Sequence, residues 1–82
     1  MGEIIKEKKI NVLFPNLLAE IARVNMSKTE LAKCAGMSIS SIYGKFNGNI
    51  DWTLEDMDAI KNVLETKGGQ ELSLDYLFRR GL

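Results

Sequence analysis

Hydroxyl side chains stand where they can do hydrogen-bond chemistry with the backbone. Ser27 is followed three residues later by Glu30, and Thr53 by Asp56. In that spacing the hydroxyl oxygen accepts from the amide three residues on, while the carboxylate reaches back to the N–H of the hydroxyl residue, a reciprocal helix cap. Ser38 and Ser73 offer the same hydroxyl cap ahead of apolar runs. Nucleophilic chemistry by any of these hydroxyls would need a general base, and the chain has no histidine. It has a single cysteine, Cys34, so it can build neither a disulfide framework nor a Cys/His zinc site by itself. No metal set, catalytic triad or phosphate-cradling loop is legible, so an enzyme is not expected, nor is a cofactor.

The caps imply the elements that carry them. Pro15 suits a first helical turn ahead of NLLAEIARV, and with Ser27, Ser38, Thr53 and Ser73 it gives five helix starts. Apolar residues flank the caps as hydrophobic staples: Met26 and Leu31, Met37 and Ile42, Trp52 and Met57, Leu72 and Leu77. The apolar spacing that follows predicts core-facing stripes of Leu17, Leu18, Ile21 and Val24, then Leu31, Ala32 and Ala35, then Ile42 and Phe46. Leu54, Met57, Ile60, Val63 and Leu64 continue the pattern, as do Leu74, Leu77 and Phe78. Cys34 is expected half-buried as a small hydrophobe, and Trp52 as a staple and core residue. NGNID and KGGQE supply breaks. The expectation is an all-α, five-helix domain over residues 14–82, preceded by an N-terminal arm over residues 1–13.

Length and composition bound the rest. A chain of 82 residues makes one domain, and 45% apolar with 27% charged residues is ordinary for a folded globular protein. Charges interrupt MGEIIKEKKI, so no signal peptide or membrane span is read there, and a cytoplasmic, reducing setting is expected. Net charge is zero, yet residues 1–48 carry seven basic against four acidic side chains and residues 49–82 four against seven. The first half is therefore the basic one, which suggests a cationic face there.

Gly36 is the pivotal position. A glycine inside a helical pattern costs roughly 1 kcal/mol relative to alanine, so it belongs where the chain turns. Ala32 is small where two helices would cross, Gly36 can take the left-handed turn, and Ile42 plugs the following helix into the preceding one. This is the pattern of a helix-turn-helix. With it, the segments PNLLAEIA, SKTELAKCAGMS, SIYGKFNG, TLEDMDAIKNVL and LSLDYLF, in that order, resemble the lambda-repressor-like family of phage repressor and Cro-like domains. The resemblance runs from about Phe14 to Phe78 and is specific as a set.

That resemblance implies a sequence-specific transcriptional regulator, repressor-like and without enzymatic activity, that binds double-stranded DNA with the segment 38–47 in the major groove. It places Ser38, Ile39 and Ser40 where the family reads base edges, with Tyr43 and Gly44 one turn later. Lys28 stands where the family usually has a glutamine that touches the backbone, so a phosphate contact is expected of it, and Arg23, Lys45 and Asn47 are further phosphate candidates. No arginine, glutamine or asparagine occupies the first turn of the third helix, so bidentate base pairing has no supplier and specificity would lean on DNA shape or a partner chain. A module this small is expected to act as a homodimer on DNA, with Leu74, Leu77 and Phe78 as the contact. The alternative is a protein-interaction module of the same fold, such as an antirepressor, an antitoxin or a polymerase-docking protein. A basic stripe through Lys28, Lys45 and Arg23 would favour DNA, and an apolar patch around Ile39 and Tyr43 would favour protein.

Overall fold

Reciprocal caps start two of the helices of the computed structural model, which describes residues 14–81. Ser27 Oγ accepts from the Glu30 amide at 3.1 Å while Glu30 Oε1 accepts from the Ser27 amide at 2.9 Å, and Thr53 and Asp56 repeat the exchange at 3.1 and 3.3 Å. Ser38 and Ser73 cap by hydroxyl alone, accepting from Ser41 and Tyr76. Each such cap contributes about 1 kcal/mol. Five α-helices result among the described residues, with no strand: α1 Pro15–Arg23, α2 Lys28–Ala35, α3 Ile39–Phe46, α4 Leu54–Gly68 and α5 Leu74–Leu77. None is long and apolar enough to cross a membrane. The expected arm, residues 1–13, lies outside the described residues.

Gly36 ends α2 in the left-handed conformation, φ 76°, and Gly69 ends α4 in the same way, φ 72°. A side chain at either position would be strained, which is why glycine stands there. Asn25 makes the turn between α1 and α2 with φ 59°, a conformation its short polar side chain tolerates.

The apolar stripes meet in one core of Phe14, Leu17, Ile21, Leu31, Ala32, Ile42, Phe46, Ile60, Leu64 and Leu77. Ala32 and Ile42 are fully buried, as the turn pattern predicts. Helix α4 runs through the assembly and touches α1, α2 and α5, whereas the backbone of α3 lies against α2 alone. Phe14, Phe46, Trp52 and Phe78 pack edge to face at 5.0–6.1 Å between ring centres. Each such pair adds about 0.5–1.5 kcal/mol beyond burial, which offsets the indole N–H of Trp52, buried there with no acceptor among the described residues.

Two apolar residues sit differently from the expectation. Leu54 is 66% exposed because it occupies the first position of α4, ahead of the turn that meets the core. Cys34 is exposed on α2. Leu77 is fully buried in the core, as its periodicity predicts, which leaves none of its surface for the subunit contact also expected of it.

Replacing Ile42 by alanine should lower unfolding stability by about 2–5 kcal/mol, because it leaves a cavity between α2 and α3. Cys34→Ser should stay within about 0.5 kcal/mol of the parent. Urea denaturation of the two variants checks both.

Candidate functional site

The outward side of α3 gathers most of the residues for which the sequence suggests a contact role. Ser38 is the N-cap, its oxygen accepting from the Ser41 amide at 3.1 Å, so its hydroxyl hydrogen can still be donated outward. Ile39 and Tyr43, four residues apart and therefore on one face, are 45% and 42% exposed. Ser40 and Asn47 are exposed beside them. Lys28, at the start of α2, brings its ammonium over the rings of Phe46 and Tyr43, 5.0 and 5.8 Å from their centres. That cation sits on the edge of the α3 face, held by the ring quadrupoles.

Gly44 differs from the expectation of direct contact. A Cβ at this position would fall 2.5 Å from Cδ1 of Ile50, so the space is filled by a residue of the following loop. Ile50 is itself 41% exposed, and sequence reasoning overlooked it. The missed signal was a glycine inside a helix, which often marks a close approach.

Lys45 departs furthest. Its side chain is only 8% exposed, and its ammonium pairs with Asp56 Oδ2 at 2.8 Å and donates to the Asp51 carbonyl at 3.0 Å. The helical register turns it inward, and the acidic cap of α4 receives it, so the phosphate role read from the sequence has no free ammonium behind it. Asp56 serves twice, as cap of α4 and as partner of Lys45. Lys45, with the Thr53 bonds assisting, holds the Asp56 carboxyl below its ordinary range against the opposing effect of desolvation.

Arg23 is also committed elsewhere. It donates to Glu20 Oε1 at 2.9 Å and to Gln70 Oε1 at 3.0 Å, and it lies against Gly68. Glu20 is buried and takes a second hydrogen bond from the Tyr76 hydroxyl at 2.9 Å, which raises the Tyr76 pKa above its ordinary value. Lys45 and Arg23 therefore sit at opposite ends of α4, whose 15 residues span about 22 Å. The three cations Lys28, Lys45 and Arg23 form no continuous stripe.

Of the residues expected at a subunit contact, Leu74 and Phe78 are half-buried and line an open groove of about 490 Å³ with Leu54, Met57, Asp75 and Arg79. Phe78 also belongs to the ring cluster. Leu77 takes no part, for the reason given above.

No family model, no curated protein and no solved structure matches the chain. Among the described residues, fold and site together define a small all-helical unit that presents one outboard helix with a mixed hydroxyl and apolar face, the Lys28 cation at its edge and no carboxylate among the helix's own residues.

Lys45→Ala should lower stability by about 1–3 kcal/mol, the range for hydrogen bonds to charged groups, although the sequence suggested a phosphate contact for this side chain. The Asp56 carboxyl is held low in the fold, so its stabilising contribution is complete above its unfolded value near pH 4 and is lost as pH falls through the lower folded value. Thermal melts from pH 6 down to pH 2 should therefore show an acid-side loss that is smaller in Asp56→Asn and in Lys45→Ala than in the parent.

Proposed function

We propose that the chain is a sequence-specific double-stranded DNA-binding regulator, repressor-like and not an enzyme, in which α2 and α3 form a helix-turn-helix of the lambda-repressor-like type and α3 enters the major groove. The observation that carries this reading is the position of α3. Among the described helices its backbone lies against α2 alone, its outer face is exposed at Ile39, Ser40 and Tyr43, and it bears no acidic side chain that phosphates would repel. A groove about 12 Å wide admits such a helix. Ser38, Ile39, Ser40 and Tyr43 then face base edges, while Lys28, over the Tyr43 and Phe46 rings, and Asn47, at the C-cap of α3, supply phosphate contacts. Lys45 and Arg23 are left out of the phosphate set because Lys45 is buried against Asp56 and Arg23, though exposed, is paired with Glu20 and Gln70 away from α3.

Binding is expected as a homodimer on an approximately palindromic site, because one module buries too little surface to discriminate strongly alone. The groove between Leu54, Leu74 and Phe78 is the surface we assign to the two-fold contact, with no part for Leu77.

A second reading, docking of a protein partner, is favoured by a specific observation. Ile39, Tyr43, Ile50 and Leu54 are all exposed, and the cations do not line up. The two readings differ in salt dependence. DNA binding must release counterions, with a slope of about 0.9 per phosphate neutralised, so few free cations mean a shallow but non-zero slope.

Retention of a randomised duplex pool by the purified chain, measured at two salt concentrations with the recovered sequences read out, should give salt-sensitive binding and enrich a two-fold symmetric motif. Lys28→Ala should weaken all sequences alike and lower the slope by about 1, whereas Ser40→Ala should change the preferred bases. Absence of salt-sensitive retention on any duplex would overturn the DNA reading in favour of the protein one.

A further inference from the structure

The bare backbone at position 44 lets a loop complete the outer face of α3. Gly44 accepts from the amides of both Asn49 and Ile50, at 2.8 and 3.1 Å, which straps the loop to the helix. Cδ1 and Cγ1 of Ile50 then occupy the space where a residue-44 side chain would begin, 2.5 and 2.9 Å from the ideal Cβ position. Helix and loop thus present three large exposed apolar side chains, Ile39, Tyr43 and Ile50. Hydrogen-bonding readers are scarce beside them, since the Ser38 oxygen already caps Ser41 and Ser40 offers one hydroxyl. The face is suited to a polyanion at its rim and to apolar groups at its centre, with the Lys28 ammonium held next to Tyr43.

Among the base edges of the major groove, the C5 methyl of thymine is the group that rewards apolar contact. Resting on the DNA-binding reading above, we infer that Ile39, Tyr43 and Ile50 read thymine methyl groups, so that each half-site is rich in A·T pairs whose thymines lie under these side chains. Gly44 takes part indirectly, as the positioning residue that admits Ile50.

Deoxyuridine tests this directly, because it keeps the hydrogen-bonding edge of thymine and lacks only the methyl. Duplexes recovered from the randomised pool should lose affinity about fourfold for each contacted thymine replaced, the value of burying one such carbon. Ile39→Ala alters an exposed side chain and leaves the core untouched, and it should abolish the thymine-over-deoxyuridine preference at one position of the half-site. Gly44→Ala displaces the flexible end of Ile50 and should abolish it at another. Salt-sensitive retention with equal affinity for thymine and deoxyuridine duplexes would overturn this inference and leave the DNA reading standing. A deoxyuridine effect that neither variant changes would assign it to duplex mechanics and overturn the role of this face. No retention of any duplex would overturn the DNA reading and the inference with it.

Discussion

An ammonium turned into the protein holds the outermost helix in place. Moving Lys45 out of water carries a desolvation cost of several kcal/mol, which is offset only where geometry is good and its donors are met. Here a carboxylate at 2.8 Å and a carbonyl at 3.0 Å meet it. The two acceptors come from different places, Asp56 in the first turn of α4 and Asp51 in the loop before it. One side chain therefore fastens the end of α3, the loop and the start of α4 together. Because α2 is the one helix the backbone of α3 lies against among the described residues, this junction and the bonds of the Asn49 and Ile50 amides to Gly44 set how α3 stands relative to α4. The charges also suit their helices, a cation in the last turn of α3 and an anion in the first turn of α4.

The far end of α4 is secured by a second polar knot. The carboxylate of Glu20 gathers Arg23 and Tyr76, and Arg23 extends to Gln70, which links α1, α5 and the segment between α4 and α5. Glu65 accepts from the Leu72 amide at 2.8 Å, and this bond, assisted by Lys61, holds its carboxyl below the ordinary value. Between the two knots lie the apolar core and the cluster of aromatic rings. Polar contacts thus fix the ends of α4 and packing fills its middle.

Features decided within a few residues were legible in the sequence. The Ser27 and Thr53 caps, the left-handed Gly36, and the burial of Ala32 and Ile42 all follow from spacing over one or two turns. What the sequence concealed depends on partners far along the chain or on register. Arg23 meets Gln70 across 47 positions, and nothing local distinguishes it from a free surface cation. Lys45 was expected to reach phosphate from the end of its helix, yet its register points it at the acidic cap of the next helix. Leu54 and Cys34 were each more exposed than apolar periodicity alone would set them. Of the candidate site, the outward set Ile39, Ser40 and Tyr43 was readable from the sequence, whereas Ile50 was not, since its place depends on a loop folding back over a glycine.

That folded-back loop makes the surface of α3 a composite. Grafting residues 39–47 onto another scaffold would carry Ile39 and Tyr43 but leave a bare patch of backbone at Gly44, because the side chain that covers it is encoded six positions downstream. Conversely, a substitution at Ile50 alone would redraw the surface without altering a helical residue. In this chain, variation in contact chemistry at that one loop position is thereby uncoupled from the packing face of the helix, whereas Asp51, Trp52 and Thr53 of the same loop stay tied to the fold with Ile42 and Phe46.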